Sequence, residues 1–222
     1  MNKAEIRARI EEIGIIPGVR VSKRERAVFA AEAVNRSGIP IAEITMTVPG
    51  AIDVIEHLAK RYPEMIVGAG TVLDAETARR CLDAGARFLT STGLVAQVVD
   101  FGLKHDVVVF PGAMTPSEVI EAWKSGADFV KIFPCGPLGG PNYIRSLKLP
   151  FPQISLIATG GVNQQTAGNF ILAGATALGI GSELINPEAL PEMNEGQIRE
   201  LARRYLAAVK AARGQLNGRN HD

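Results

Sequence analysis

Eight short β-branched runs alternate with helix-patterned stretches at a near-constant beat, and this constrains the chain more than any other feature. The runs cover residues 15–20, 41–47, 65–68, 88–91, 107–110, 129–133, 155–159 and 177–181, and their ends lie 19 to 27 residues apart. Each interval holds a strand, a turn and a helix of about three turns. The helical stretches are 24–36, 51–61, 75–84, 96–104, 116–125, 143–147, 164–173 and 195–213. Glycines at 38, 85, 126 and 174 each follow a helical stretch, where a left-handed C′ residue belongs. Thr115-Pro116 supplies an N-cap with proline at the first helical position. Alternating β and α units imply a parallel sheet with right-handed crossovers. Eight of them in 222 residues fit an α/β fold of one closed (β/α)8 TIM barrel. Residues 1–222 then form one domain. Residues 1–14 are an extra N-terminal helix at the bottom of the barrel, and 214–222 are expected to be a frayed tail.

Charge and composition exclude several function classes. The formal net charge is +1, so no basic excess points to nucleic acid or an anionic membrane. The start is charged and helix-patterned rather than signal-like, and no apolar run approaches the roughly 20 residues of a membrane span. A reducing cytoplasm is the expected setting, with Cys81 and Cys135 as thiols. His57, His105 and His221 stand alone in sequence, without metal-ligand spacing. The expectation is no metal and no organic cofactor.

Against this background Lys131 is out of place. It sits in the apolar run A-D-F-V-K-I-F-P, where strand alternation puts Phe129, Lys131 and Phe133 on one face. An ammonium there loses hydration, and a neutral lysine amine is a nucleophile that forms Schiff bases with carbonyl compounds. On the segment alone, an edge-strand lysine pointing to water is the alternative.

The polar residues gather at the C-terminal ends of the runs, the end at which barrels of this kind carry their chemistry. The first run ends at Arg20, suited to bidentate binding of a carboxylate or phosphate, or else to a salt bridge with Glu43. The second carries Glu43, Thr45 and Thr47 at alternate positions. The third ends Gly68 to Thr71, the fourth at Thr90, Ser91 and Thr92, and the fifth at Phe110 to Gly112. Glu43 is the one carboxylate placed to serve Lys131, as an acid–base group acting through water or as a structural ion-pair partner. Phe133 is either a wall for a small keto acid or barrel filling. Runs seven and eight end A-T-G-G (158–161) and G-I-G-S (179–182). Glycines there let backbone N–H groups approach an anion, and a helix expected to follow each turn adds a favourable dipole. Tight turns without a ligand are the alternative for either pair alone.

Together these segments resemble the 2-keto-3-deoxy-6-phosphogluconate (KDPG) and 4-hydroxy-2-oxoglutarate (KHG) aldolases, class I pyruvate aldolases on a trimeric barrel. The resemblance covers roughly residues 10–210 and rests on P-G-V-R (17–20), A-E-I-T-M-T-V-P-G-A (42–51), V-G-A-G-T-V-L (67–73), F-P-G-A-M-T-P-S-E (110–118), F-V-K-I-F-P (129–134), L-G-G-P-N-Y-I (138–144), A-T-G-G-V (158–162) and G-I-G-S-E-L-I (179–185). It implies Lys131 as the Schiff-base lysine and Glu43 as the acid–base carboxylate. It implies Thr71 against the pyruvate carboxylate, Phe133 as the hydrophobic wall and Thr159 near the substrate hydroxyl. Gly160, Gly161, Gly181 and Ser182 match the phosphate cradle, with Arg20, Thr47 and Thr92 as further binding positions. Three places depart from the pattern: Thr47 stands where some members carry arginine, Thr92 where many carry proline, and Ala158 where P-T-G-G is usual. The implied activity is cleavage of KDPG to pyruvate and glyceraldehyde 3-phosphate, and also of KHG to pyruvate and glyoxylate, by a homotrimer acting on a small keto acid. A phosphosugar isomerase or synthase on the same barrel, or a catalytically silent barrel binding phosphorylated ligands, are the alternatives.

Overall fold

A computed structural model describes residues 1–186 and 194–219. Nine parallel strand segments form the sheet: β1 (Ile15–Val19), β2 (Ile41–Thr45), β3 (Ile66–Gly70), β4 (Phe88–Thr90), β5 (Val108–Phe110), β6 (Gly112–Ala113), β7 (Val130–Ile132), β8 (Leu156–Thr159) and β9 (Ala177–Ile180). Their spatial order is β5-β4-β3-β2-β1-β9-β8-β7-β6. The two ends of that order, β5 and β6, are one barrel strand interrupted at Pro111, which has no N–H to donate to a ladder. The strand continues through the break: Phe129 N–H donates to the Val109 carbonyl at 3.4 Å and Lys131 N–H to the Pro111 carbonyl at 2.9 Å. The sheet thereby closes into the expected barrel, with eight strand positions.

The helices α1 (Lys3–Ile13), α2 (Arg24–Arg36), α3 (Ala51–Arg61), α4 (Ala75–Asp83), α5 (Ala96–Lys104), α6 (Pro116–Lys124), α7 (Pro141–Lys148), α8 (Ala167–Leu172) and α9 (Glu195–Arg219) accompany the strands. Local chemistry sets several of their ends. Asn2 and Glu5 close a capping box on α1, and Thr115 and Glu118 close another on α6. The extra helix α1 lies under the barrel: Lys3 pairs with Asp128 at 3.0 Å, just before β7, and the Arg7 guanidinium stands 5.4 Å from the Phe129 ring centroid. Within residues 214–222, expected to fray, α9 remains helical through Arg219. Arg213 fastens it by donating to the carbonyls of Glu11, Glu12 and Thr176, and Leu216 packs against the core. Residues 220–222 of that stretch lie outside the described residues.

Both faces of the strands are buried, the outer face under helices and the inner one in the barrel. Phe88, Phe110 and Phe129 stack through the interior, with ring centroids 5.0 and 6.1 Å apart. They fill the N-terminal half and leave the C-terminal half to polar groups.

Candidate active site

A cavity of about 230 Å³ opens at the C-terminal end of the barrel. Lys131 reaches it from β7 and Glu43 from β2. The Lys131 Nζ lies 3.6 Å from Glu43 Oε1, and the two side chains are only 5% and 8% exposed. Neither charge sits on an edge strand, so the solvent-facing reading of Lys131 is excluded. The separation lies beyond direct hydrogen-bond length, so amine and carboxylate share a site without saturating each other.

Glycines flank this pair in the barrel ladders. Glu43 is in register with Gly18 on β1 and Gly68 on β3, and Lys131 with Gly112 on β6. A Cβ on Gly68 would enter the Phe88 ring at 2.2 Å, and one on Gly179 would lie 2.3 Å from Thr159 Oγ1. The glycines of G-A-G and G-I-G are therefore spaces as well as turns.

Around the pair, the Phe133 ring lies 5.8 Å from the lysine nitrogen and forms an apolar wall. Thr159, at the end of β8, lines the cavity with an Oγ1 that is buried and has no hydrogen-bond partner. A buried hydroxyl left unpaired costs about 1–3 kcal/mol, so it stands ready for an incoming polar group. Thr92 and Arg20 stand toward the mouth. Arg20 donates weakly to Thr47 Oγ1 at 3.4 Å and, among the described residues, pairs with no carboxylate. The alternative of an Arg20–Glu43 salt bridge is not what forms.

Gly160, Gly161, Gly181 and Ser182 all line the cavity. Gly160 and Gly161 adopt φ of 80° and 92°, left-handed values that glycine alone takes freely. Among the described residues, the N–H groups of Gly161, Val162, Ser182 and Glu183 donate to no carbonyl or side chain. A cluster of unpaired N–H groups at a turn is an anion-binding concavity. Among the described residues, the helix dipoles expected to back it are not adjacent. After the glycine pair, Asn163 and Thr166 close a turn on themselves, and α8 begins only at Ala167. Ser182 opens a turn closed by the N–H groups of Leu184 and Ile185 on the Gly181 carbonyl.

Two expected residues fall outside the lining. Thr47 is exposed beyond the end of β2, joined to Thr45 Oγ1 at 2.9 Å. Thr71 follows β3 with φ of 60°, rare for a β-branched residue, and its Oγ1 is buried and unpartnered. In the other direction, Thr45 and Gly179, noted in the sequence at their strand ends but given no role there, line the cavity, and so does Glu183. Thr45 was legible from strand alternation. Glu183 carried no signal beyond its place after Ser182.

This arrangement suits imine chemistry with proton transfer: a buried amine, one carboxylate beside it, and a cluster of unpaired backbone N–H groups lining the same cavity. A family model for KDPG and KHG aldolases matches residues 6–201. The chain belongs to this aldolase family. Among its relatives, a KHG/KDPG aldolase of Escherichia coli K12 is 31% identical over 196 residues, 88% of this chain and 92% of the relative. A 2-dehydro-3-deoxy-phosphogluconate aldolase of Pseudomonas aeruginosa is 29% identical over 91% of this chain and 92% of its own. In solved structures, a KDPG aldolase from Legionella pneumophila, with pyruvate captured at low pH as a covalent carbinolamine, superposes with a TM-score of 0.81. It is 30% identical, over 89% of this chain and 96% of that one. Family membership makes this chain an aldolase and bears out the resemblance carried by its eight segments.

Other features sit quietly beside the site. Among the described residues, no three His, Cys, Asp or Glu side chains converge as a metal site, and no helix is long and apolar enough to cross a membrane. Both cysteines are free and buried.

Proposed function

We propose that this aldolase cleaves KDPG, and also KHG, by a Schiff base on Lys131. The observation that carries the reading is the buried approach of Lys131 Nζ to Glu43 Oε1 at 3.6 Å. The amine adds to the C2 carbonyl of the keto acid and water leaves, giving a protonated imine. Glu43, through a water, takes the proton of the C4 hydroxyl as the C3–C4 bond breaks. The bonding pair moves into the imine, which becomes the neutral enamine of pyruvate, and the aldehyde departs. C3 then takes a proton back, and water hydrolyses the imine to free pyruvate and the amine. Phe133 shields the adduct, and the Thr159 hydroxyl meets the substrate hydroxyl. Thr71, with its unpaired Oγ1, is assigned to the pyruvate carboxylate.

The phosphate of KDPG would lie on the N–H groups of Gly161 and Ser182, with Gly160 and Gly181 giving the turns their shape and Arg20 and Thr92 at the mouth. Thr47 supports Arg20 there. The proposed assembly is a cytoplasmic homotrimer, whose mass in solution would be three times the 23.7 kDa of one chain. Borohydride reduction in the presence of pyruvate, followed by intact mass and peptide mapping, tests the reading. One pyruvyl adduct per chain on Lys131 is expected, and modification at Lys23, Lys104 or Lys148 instead would overturn it.

A further inference from the structure

Gly70, the last residue of β3, is not glycine for the sake of its backbone. Its φ lies outside the left-handed region that sets apart Gly160 and Gly161, so an L-residue could take its conformation. The requirement is space. A Cβ built on Gly70 would lie 2.0 Å from Glu43 Oε1, 2.5 Å from Cδ and 2.6 Å from Cγ, and all three nearest atoms belong to Glu43. Oε1 is also the oxygen facing Lys131 Nζ. The carboxylate thus rests in the volume that a side chain at position 70 would occupy.

We infer that Gly70 is a positioning residue, whose missing side chain holds the Glu43 carboxylate against Lys131. The inference rests on the aldolase reading of that pair. Glu43 ends in a flexible carboxylate, so a methyl group on Gly70 would be accommodated by swinging the carboxylate aside while the barrel persists. At Gly68 the same methyl would meet the Phe88 ring at 2.2 Å, deep in the packed aromatic stack. There the cost would fall on stability. Two neighbouring glycines of one motif therefore separate into a catalytic requirement and a packing requirement.

The test compares Gly70→Ala and Gly68→Ala, using borohydride trapping with pyruvate, steady-state kinetics and thermal melting. Gly70→Ala should still trap pyruvate on Lys131, keep KM within about threefold and lose at least tenfold in kcat, within the roughly 10²–10⁴-fold range of acid–base help. Added to Glu43→Gln it should cost less than about twofold more, because its effect runs through a carboxylate already gone. Multiplicative losses, or wild-type kcat in Gly70→Ala, would overturn the inference. If Gly70→Ala melts early, the loss should vanish in the Glu43→Ala background, where the clashing atoms are removed. A loss that persists there would also overturn it. Failure of the wild type to trap pyruvate would reject the aldolase reading itself and is seen separately.

Discussion

Gly161 and Gly136 pack backbone to backbone, and a Cβ on Gly161 would lie 2.6 Å from the Gly136 Cα. The Gly136 N–H also donates to the Gly160 carbonyl at 2.6 Å, tying the chain after β7 to the turn after β8. The proposed anion cradle is therefore part of the framework. Gly161→Val should cost about 1–2 kcal/mol for the left-handed backbone and a further 1–3 kcal/mol for the overpacked contact. Chemical denaturation would show this as a lower midpoint. A variant with wild-type stability would mean that the turn rearranges without cost.

How far this was readable in advance differs from element to element. The helix bounds 24–36, 51–61 and 96–104 are those of α2, α3 and α5, because the apolar period is clear there even though none of the three has a side-chain N-cap. The strand runs were extended by a residue or two where polar residues continue past the ladder, as at Thr47. Lys131, Glu43 and Phe133 were legible because alternation in a strand fixes a face. The break at Pro111 and the space-making role of Gly70 and Gly179 were not, since each depends on what a neighbouring strand places opposite. The helix N-terminus expected directly behind the glycine pair is absent for a local reason: Asn163 and Thr166 satisfy each other and delay α8.

Lys131→Met should abolish imine formation and leave the Glu43 carboxylate buried without its partner. Breaking a buried pair from one side typically costs about 3–5 kcal/mol, whereas removing both charges is often neutral. The double variant Lys131→Met/Glu43→Gln should therefore melt at a higher temperature than Lys131→Met alone. Equal melting of the two would show that the carboxylate finds another partner or stays hydrated.

Glu43→Gln keeps the volume and removes the base. Pyruvate should still become trapped on Lys131, while turnover falls by about 10²–10⁴-fold. A wild-type kcat in this variant would remove Glu43 from the chemistry.

Burial pushes the thiols of Cys81 and Cys135 up to about 12. At pH 8 the folded protein should react slowly with a thiol-specific disulfide reagent, and denaturant should release both thiols. Because the folded-state values are raised, the stabilising contribution is fully present below the unfolded-state value, about 8.5. It is lost as pH rises from there through the folded value. A melting temperature that climbs between pH 8 and 10 would contradict this sign. Fast labelling of the native protein would show the thiols to be accessible.

The phosphate preference is the sharpest question the site poses. The free N–H groups of Gly161 and Ser182 favour an anion, but Glu183 lines the same rim and, among the described residues, no helix N-terminus directly backs the turns. Backbone donors in a partly closed site should still prevail over one exposed, screened carboxylate. KDPG should then exceed its unphosphorylated analogue in kcat/KM by well over tenfold, since remote binding energy can lower the transition state as well as the ground state. Arg20→Met should weaken that preference while pyruvate trapping on Lys131 stays unchanged, because Arg20 lies at the mouth, engaged only weakly with Thr47. Glu183→Gln should strengthen it. Equal efficiency on the two substrates would reject the cradle and leave the smaller KHG as the better substrate for a site with Thr47 and Thr92 at its rim.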